Sequence, residues 1–334
     1  MTESLDTSVI IPCYAQDRWD WTRRAIESVR SQTHAPERIV VVVDHNDELL
    51  ARVDREVEGV RSVANRLARG VSGARNSGVA ECDTPIVAFL DDDAIARPDW
   101  LERLLGPLAD PDVVGTGGIA VPAWEGPVPR WFPPEFGWVV GAFYESVPAR
   151  ETTVRNVWGM SMAVRRRCFE EVGGFRTGFG KLLNFSRPED TDFCIRVGQL
   201  APEGRWVLVP GSVIEHRVPA ARATFRFFLR RCHNEGRQKV ALAGLLGGRD
   251  SLVPEVDYVR RTLPAGMAAR VHASLRERST QPLLVAGAMA LGVGSAAVGA
   301  AQELAFGHAE RRRSAPPPAT GDQTRPRPSA GRMS

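Results

Sequence analysis

Pro85-Ile86-Val87-Ala88-Phe89-Leu90-Asp91-Asp92-Asp93 decides the fold: an apolar, β-branched run that stops abruptly at three consecutive acids. It has the length of one strand and no polar alternation, so both of its faces are expected to be buried. Three similar runs precede it, Ser8 to Pro12, Arg38 to Asp44 and Val60 to Asn65, and Val40-Val41-Val42-Val43 within the second is equally continuous. Between them, Trp19 to Gln32, Glu48 to Glu58 and Gly73 to Glu81 carry apolar residues at helical spacing. Strand and helix repeated in this way predict right-handed crossovers and a doubly wound, mainly parallel α/β sheet covered on both faces. Ligands of such sheets bind beyond the carboxyl ends of the strands, where the three acids stand.

The chain has 334 residues, enough for one large domain or two. Hydrophobic residues make up 43% and charged residues 25%, a globular balance that excludes a wholly disordered or polytopic membrane protein. The net charge of +3 is unevenly placed: six arginines and one aspartate lie from Arg311 onward, leaving 37 basic against 39 acidic residues before it. A slightly acidic body gives no support for nucleic acid as a partner. Five scattered cysteines without a Cys-x-x-Cys pair point to a reducing, cytoplasmic compartment, and Met1 to Asp6 has no basic-then-apolar leader pattern.

After Ala120 the composition shifts. Val121 to Trp138, rich in Pro and Trp, reads as a loop over a cleft, Asn156 to Val164 as a strand and Arg166 to Val172 as a helix. Gly173 to Ser186 reads as a loop leading into Pro188-Glu189-Asp190, and Pro98-Asp99-Trp100 as a helix start. Phe225, Phe228 and Leu229 interleave with Arg222, Arg226 and Arg230, the pattern of an interfacial helix near anionic lipid or of a helix packing on the core. Trp124, Trp131 and Trp138 are either an acceptor-stacking wall or core anchors. Leu283 to Gln302 is a 20-residue stretch without a charge, long enough to cross a bilayer. Its small residues Ala288, Gly292, Ala296 and Ala300 recur every fourth position, which also suits a closely packed helix.

The acids carry the chemistry. Asp91, Asp92 and Asp93 at a strand end are explained by a divalent cation, Mg2+ or Mn2+, completed by substrate phosphates, or more blandly by a solvated acidic turn. Asp44 ends another strand, so two strands would present acids to one crevice. Arg75 and Asn76 stand at an expected helix start beside it, suited to an anionic nucleotide. Glu189-Asp190 offers a general base, against the alternative of acids that merely favour a helix N-terminus. His216 follows the apolar run Trp206 to Ile214 and is a third metal ligand or an ordinary core histidine.

Taken in order, Ser8 to Tyr14, Val41 to Asp44, Gly73 to Gly78, Phe89 to Asp93, Gly159 to Ala163, Glu171 to Phe175 and Glu189 to Asp192 resemble family-2 glycosyltransferases of the GT-A fold. The resemblance implies inverting transfer of a sugar from a nucleotide-sugar donor, expected to be a UDP-sugar, to an acceptor hydroxyl on a glycan or lipid-linked glycan, with Mn2+ or Mg2+. It implies that Pro12 and Tyr14 border the base, that Asp44 and Arg75 contact the nucleotide with Asn76 beside them, and that Asp91 or Asp92 holds the ribose. Asp93 would bind the metal with Asp91 close by, His216 would be the later metal ligand, and Asp190 would be the base with Glu189 as the fallback.

A narrower likeness, in Val43 to Leu49, Ala88 to Ala94 and Arg230 to Lys239, is similar to membrane-linked transferases that include glucuronosyltransferases acting on lipid-phosphate-linked glucose. His45-Asn46 departs from the Asp-Gly or Asp-Ser frequent there and leaves the donor open, with UDP-glucuronate foremost. The expected organisation is a nucleotide-sugar-binding half (1–120), an acceptor and base half (121–240), a C-terminal helical extension that meets the membrane (241–310) and a disordered basic tail (311–334). The chain is placed in the cytoplasm, at the cytoplasmic face of the cell membrane. An NAD-type oxidoreductase is disfavoured because Pro12-Cys13-Tyr14-Ala15 after the first strand contains no Gly-x-Gly-x-x-Gly. A phosphoryl-transfer enzyme with Asp91 as nucleophile and an inactive nucleotide-sugar-binding protein remain alternatives.

Overall fold

A computed structural model describes residues 4–143, 148–177, 180–182, 185–246 and 256–314. The first half alternates strand and helix: β1 (Thr7–Cys13), α1 (Trp19–Arg30), β2 (Arg38–Val43), α2 (Asp47–Glu56), β3 (Arg61–Ala64), α3 (Val71–Val79) and β4 (Ile86–Leu90). β1 pairs in parallel with both β2 and β4, and β2 with β3, giving the order β3-β2-β1-β4. The chain winds outward to β3 and α3 then carries it back across the sheet. The strand order therefore reverses between β1 and β4, and a crevice opens there at their carboxyl ends.

The unbroken apolar runs follow from burial on both sides. Val9, Ile11, Val41 and Val43 point into a core shared with Trp19 and Ile26 of α1 and Leu49 of α2. Ile10, Val40 and Val42 point into the opposite core with Ala74 of α3. Full burial of each such side chain stabilises the fold by about 1.5–3 kcal/mol.

The sheet continues through β5 (Ala94–Ala96), β6 (Val113–Trp124), β7 (Thr152–Val154), β8 (Ser161–Arg165) and β11 (Arg205–Val218), with α4 (Trp100–Leu105) between β5 and β6. β8 inserts antiparallel between β4 and β6, whereas β6 and β11 are parallel, so the second half is mixed. Arg165 is buried at the end of β8 and donates to the carbonyls of Leu108, Asp110 and Val113, fastening the turn before β6. α5 (Arg167–Val172) and α6 (Glu189–Leu200) cover the face shared with α3 through Phe169 and Phe193.

Several segments differ from the sequence reading; the strand expected over Asn156 to Val164, for one, begins only at Ser161. The expected loop from Val121 begins as strand, because β6 runs to Trp124 beside β11. Pro122 is tolerated since β8 pairs with β6 only at Gly115–Gly117, so the missing N–H falls where that side of β6 is unpaired. The boundary expected at 120–121 thus lies inside one strand. The Gly173 to Ser186 segment contains a small hairpin, β9 (Gly180–Leu182) with β10 (Phe185–Arg187). The helix expected at Pro98 begins at Trp100, after Asp99.

Beyond the sheet, α7 (Phe225–Leu246), α8 (Leu263–Glu277) and α9 (Gln281–Ser314) form a helical layer. Phe228 is fully buried against Phe136 and Met289, so the aromatic face of α7 packs on protein. Trp124, Trp131 and Trp138 join the same cluster as anchors, with Trp131 edge-on to Phe225 and Trp138 Nε1 donating to Tyr258. Gln281–Ala305 is long and apolar enough to cross a membrane, with 28% of its most apolar stretch buried. Arg311 to Ser314 continue α9, and the tail from 315 lies outside the described residues.

Candidate active site

The acids after β4 meet groups from four other elements. Asp93 precedes β5, whose Ala94 is in register with His216 of β11, so two positions 123 residues apart become neighbours. His216 Nε2 lies 3.5 Å from Asp93 Oδ1, both side chains buried. The imidazole ring rests against Gly141, where a Cβ would fall 2.6 Å from it. Arg18, just before α1, reaches Asp92 at 2.7 Å and Asp93 at 3.1 Å, and its guanidinium lies 4.9 Å over the half-exposed Tyr14 ring. Burial raises the proton affinity of Asp93, but His216, Arg18 and Arg222 outweigh it and hold the carboxyl well below the usual carboxylate range. Burial pushes Asp92 up to about 7, opposed by Arg18 and reinforced by its acidic neighbours.

A second cluster centres on Arg75 in α3. Its guanidinium is buried and donates at 2.9 Å to Asp91 on one side and at 2.9 Å to Glu189, the first residue of α6, on the other. Asp190 is fixed by backbone donors, Gly159 N to Oδ2 at 3.1 Å and Thr191 N to Oδ1 at 2.7 Å. Gly159 serves both groups: a Cβ there would fall 2.5 Å from Arg75 Nη1, so only glycine leaves room for the guanidinium while its N–H holds Asp190. Burial pushes Glu189 up to about 7, with the Asp190 carboxylate adding to it and Arg75 opposing.

Glu189 thereby gives the folded chain a pH dependence of defined sign. Between about pH 4, where an unfolded carboxyl ionises, and about 7, the folded state keeps a proton the unfolded state has lost, so stability falls as pH rises through that window. Glu189→Gln is expected to reduce the drop in melting temperature between pH 5 and 8; thermal melts of both proteins at the two pH values measure it.

Other sequence-selected residues are placed as follows. Asp44 is buried, its Oδ1 accepting from Asn65 at 2.6 Å and His45 at 2.9 Å and its Oδ2 from Gly70 N at 2.9 Å, so it anchors the loop before α3. His45 adopts a left-handed φ of 51°, and Asn46 Oδ1 accepts from Leu49 N to cap α2, which gives the unusual His-Asn pair a local role. Pro12 lies inside β1. Asn76 turns away from the acids: its amide donates to Phe175 O at 2.7 Å and its carbonyl accepts from Phe175 N at 2.9 Å. The structure thus makes Asn76 a clamp on the segment before the β9–β10 hairpin rather than a group facing the crevice. Asp192, from the same acidic run as Asp190, is a buried ion-pair partner of Arg176 and Arg196.

Arg18 and Arg222 were not legible as site residues. Arg222 donates to Val140 O at 3.4 Å, and burial lowers its proton affinity while Asp93 restores part of it. Four buried side-chain polar atoms among the described residues lack a hydrogen-bond partner, and three lie in this crevice: Arg75 Nε, Asp92 Oδ2 and His216 Nδ1. Buried polar atoms left unpaired in one place call for a partner such as a ligand, ion or water. No group of three metal-ligating side chains occurs among the described residues. Asp93 and His216 nevertheless fit a hard or borderline cation whose remaining ligands are phosphate oxygens and water, the usual provision for Mg2+ and Mn2+.

Residues 8–173 match the family model described as Glycosyl transferase family 2. The chain is 32% identical over 240 residues to a glucosyl-dolichyl phosphate glucuronosyltransferase of Haloferax volcanii, a match covering 70% of this chain and 76% of that protein. It is 29% identical over 221 residues to a pre-mycofactocin glycosyltransferase of Mycobacterium tuberculosis, covering 64% of this chain and 43% of that one. The mannosyltransferase PcManGT from Pyrobaculum calidifontis, solved with GDP-Man and Mn2+, superposes with a TM-score of 0.59 at 19% identity, over 89% of this chain and 87% of that one. This likeness bears out the GT-A architecture expected from sequence.

Proposed function

The chain belongs to glycosyl transferase family 2, and from that premise we propose that it transfers a sugar, with inversion, from a UDP-sugar to a hydroxyl of a lipid-linked glycan. The observation that carries this reading is the Arg75 bridge. By binding Asp91 after β4 and Glu189 beside Asp190, it gathers the donor-side and acceptor-side acids into one crevice at the switch point of the sheet. In this reading the donor diphosphate lies over Asp91–Asp93 and the base and ribose extend toward Tyr14 and Asp44. Asp190 faces the acceptor and removes the proton from its hydroxyl. The hydroxyl oxygen attacks the anomeric carbon opposite the departing diphosphate, so the configuration inverts.

Asp93 and His216 would hold Mn2+ or Mg2+, whose chemical contribution is to neutralise charge on the leaving diphosphate. Arg18 and Arg222 supply further positive charge on that side. In this reading the donor side comes mostly from residues before β6 and the acceptor side mostly from residues after it, with β6 crossing the 120–121 boundary and α7 crossing 240. A glucuronosyl donor, UDP-glucuronate in this reading, and a lipid-phosphate-linked sugar as acceptor are supported by the name of the Haloferax volcanii relative, and the reaction would then run at the cytoplasmic face of the membrane. The product would be a cell-surface glycan or glycolipid intermediate.

A panel of nucleotide sugars tested for nucleoside diphosphate release with Mn2+, Mg2+ or chelator decides the donor; release from no UDP-sugar would overturn the reading. Asp93→Ala is expected to weaken metal-dependent UDP binding by at least about 10- to 100-fold, the loss already typical when only an outer-shell partner of a metal ligand is removed. Calorimetric UDP titrations with and without Mn2+ check it, and an unchanged metal dependence would remove Asp93 from that role.

A further inference from the structure

We propose that α8 and α9 form an in-plane docking surface for an anionic phospholipid bilayer, with α9 lying along the membrane rather than crossing it. Leu284, Leu291 and Val298 are 59%, 56% and 54% exposed. A step of seven residues turns each only about 20° from the next, about 40° from first to last, in a stripe about 21 Å long. From Leu283 to Gln302 the sequence holds no charge, so the outward face of α9 is apolar where a surface helix is normally polar. On α8, Val271 and Leu275 are exposed as well.

The opposite face of α9 is committed to protein. A Cβ on Gly236 of α7 would fall 1.9 Å from Ala296 O, and one on Gly299 would fall 2.0 Å from His233 O, so the two backbones are in direct contact. Arg237 pairs with Glu303 at 3.2 Å, His233 meets Gln302 at 2.8 Å and Ser295 donates to Leu229 O. α7 carries Arg226, Arg230, Arg231, Glu235, Arg237 and Lys239, a set that does not enter hydrocarbon. A helix fastened along its length to such a partner has only one face to offer lipid, which is the geometry of an interfacial helix.

Charge selects lipid over a second copy of the chain. Arg276, paired with Glu277 at 3.2 Å, and Arg278 stand exposed at the α8–α9 turn, Arg260 and Arg261 precede α8 with Arg261 paired to Asp257, and from Arg311 onward the sequence has six arginines and one aspartate. The described end of the stripe, at the α8–α9 turn, is net basic, so copies of the chain meeting there would oppose like charges, whereas anionic headgroups neutralise them. The surface also adjoins the candidate site. In the segment Pro134–Val140, Glu135 pairs with Arg270 of α8 at 3.2 Å and Phe136 packs on Phe228, and the next residue, Gly141, supports the His216 ring. A bilayer under α8 and α9 would bring a lipid-linked acceptor to that wall; this last step rests on the proposed function, while the docking itself does not.

Flotation of the full-length protein with phosphatidylcholine vesicles, with and without phosphatidylglycerol, tests the docking. The expected result is co-flotation that needs phosphatidylglycerol and is weakened at least about tenfold by Leu284→Glu or Leu291→Glu, since each removes a buried leucine from the interface. Leu284→Cys, Leu291→Cys and Val298→Cys, labelled with a fluorophore and quenched by lipids brominated at known depths, should report one shared shallow depth. Cys13, Cys82, Cys168, Cys194 and Cys232 are buried and leave the engineered thiols to be labelled. A deepest position at Leu291 with shallower ends would show a crossing helix and overturn the proposal. So would failure to float, with or without dimerisation that Leu291→Glu abolishes. UDP titration in parallel separates the two readings: lost flotation with retained UDP binding strikes the docking alone, and the reverse strikes the glycosyl transfer alone.

Discussion

Asp190→Asn is expected to lower sugar transfer by about 10²- to 10⁴-fold, the contribution of a positioned general base, while UDP binding stays near that of the unaltered protein. Asn has the same shape but no basic oxygen at neutral pH. Asp190 accepts from Gly159 N and Thr191 N on different oxygens, so the substituted amide keeps one of these bonds and turns an N–H toward the other donor. Leaving that donor unpaired costs about 1–3 kcal/mol, less than the stability of a typical folded domain. Nucleoside diphosphate release with the best donor and calorimetric UDP titration separate the two effects. Glu189→Gln is the control: its side chain is spent on Arg75, so transfer should survive in that variant if Asp190 is the base. Full activity in Asp190→Asn together with inactivity in Glu189→Gln would exchange their roles.

The parallel half of the sheet was legible because its strands are buried on both sides and β-branched, a signal carried by each segment alone. The order β3-β2-β1-β4 was not, since nothing local in Ile86–Leu90 says that it pairs with β1 rather than β3. The same distinction governs the site. Asp91–Asp93 and His216 stand next to apolar runs and announce strand ends, whereas Arg18 finds Asp92 across 74 residues and carries no mark of it in its own neighbourhood. Asn76 was read with Arg75 because the two are adjacent, yet successive residues of a helix point about 100° apart, and its amide serves Phe175. Leu283 to Gln302 was posed as either a buried helix or a membrane segment; α9 is packed on one face and apolar on the other, a combination that composition averages away.

Arg75→Met should be the most damaging single change to the fold. Breaking a buried ion pair by removing one partner costs about 3–5 kcal/mol, because the other charge is left without compensation. Here Asp91 would be left in that position, and Glu189, pushed up to about 7 even with Arg75 opposing, would be driven to take up a proton beside Asp190. At about 2–4 °C per kcal/mol, the melting temperature should fall by about 10 °C. Transfer should be lost as well, but that alone does not distinguish a catalytic arrangement from a collapsed one. Neutralising the stranded partners does: in Arg75→Met combined with Asp91→Asn and Glu189→Gln, no uncompensated charge remains and much of the lost stability should return. If Arg75 were only a fastening for the fold, activity would return with it. If the bridge also sets Asp91 and the neighbourhood of Asp190 for reaction, the triple variant should melt near the unaltered protein and still fail to transfer sugar. Calorimetry and nucleoside diphosphate release on the same preparations distinguish the outcomes, and a single variant as stable as the parent would show that the buried guanidinium carries no such charge balance.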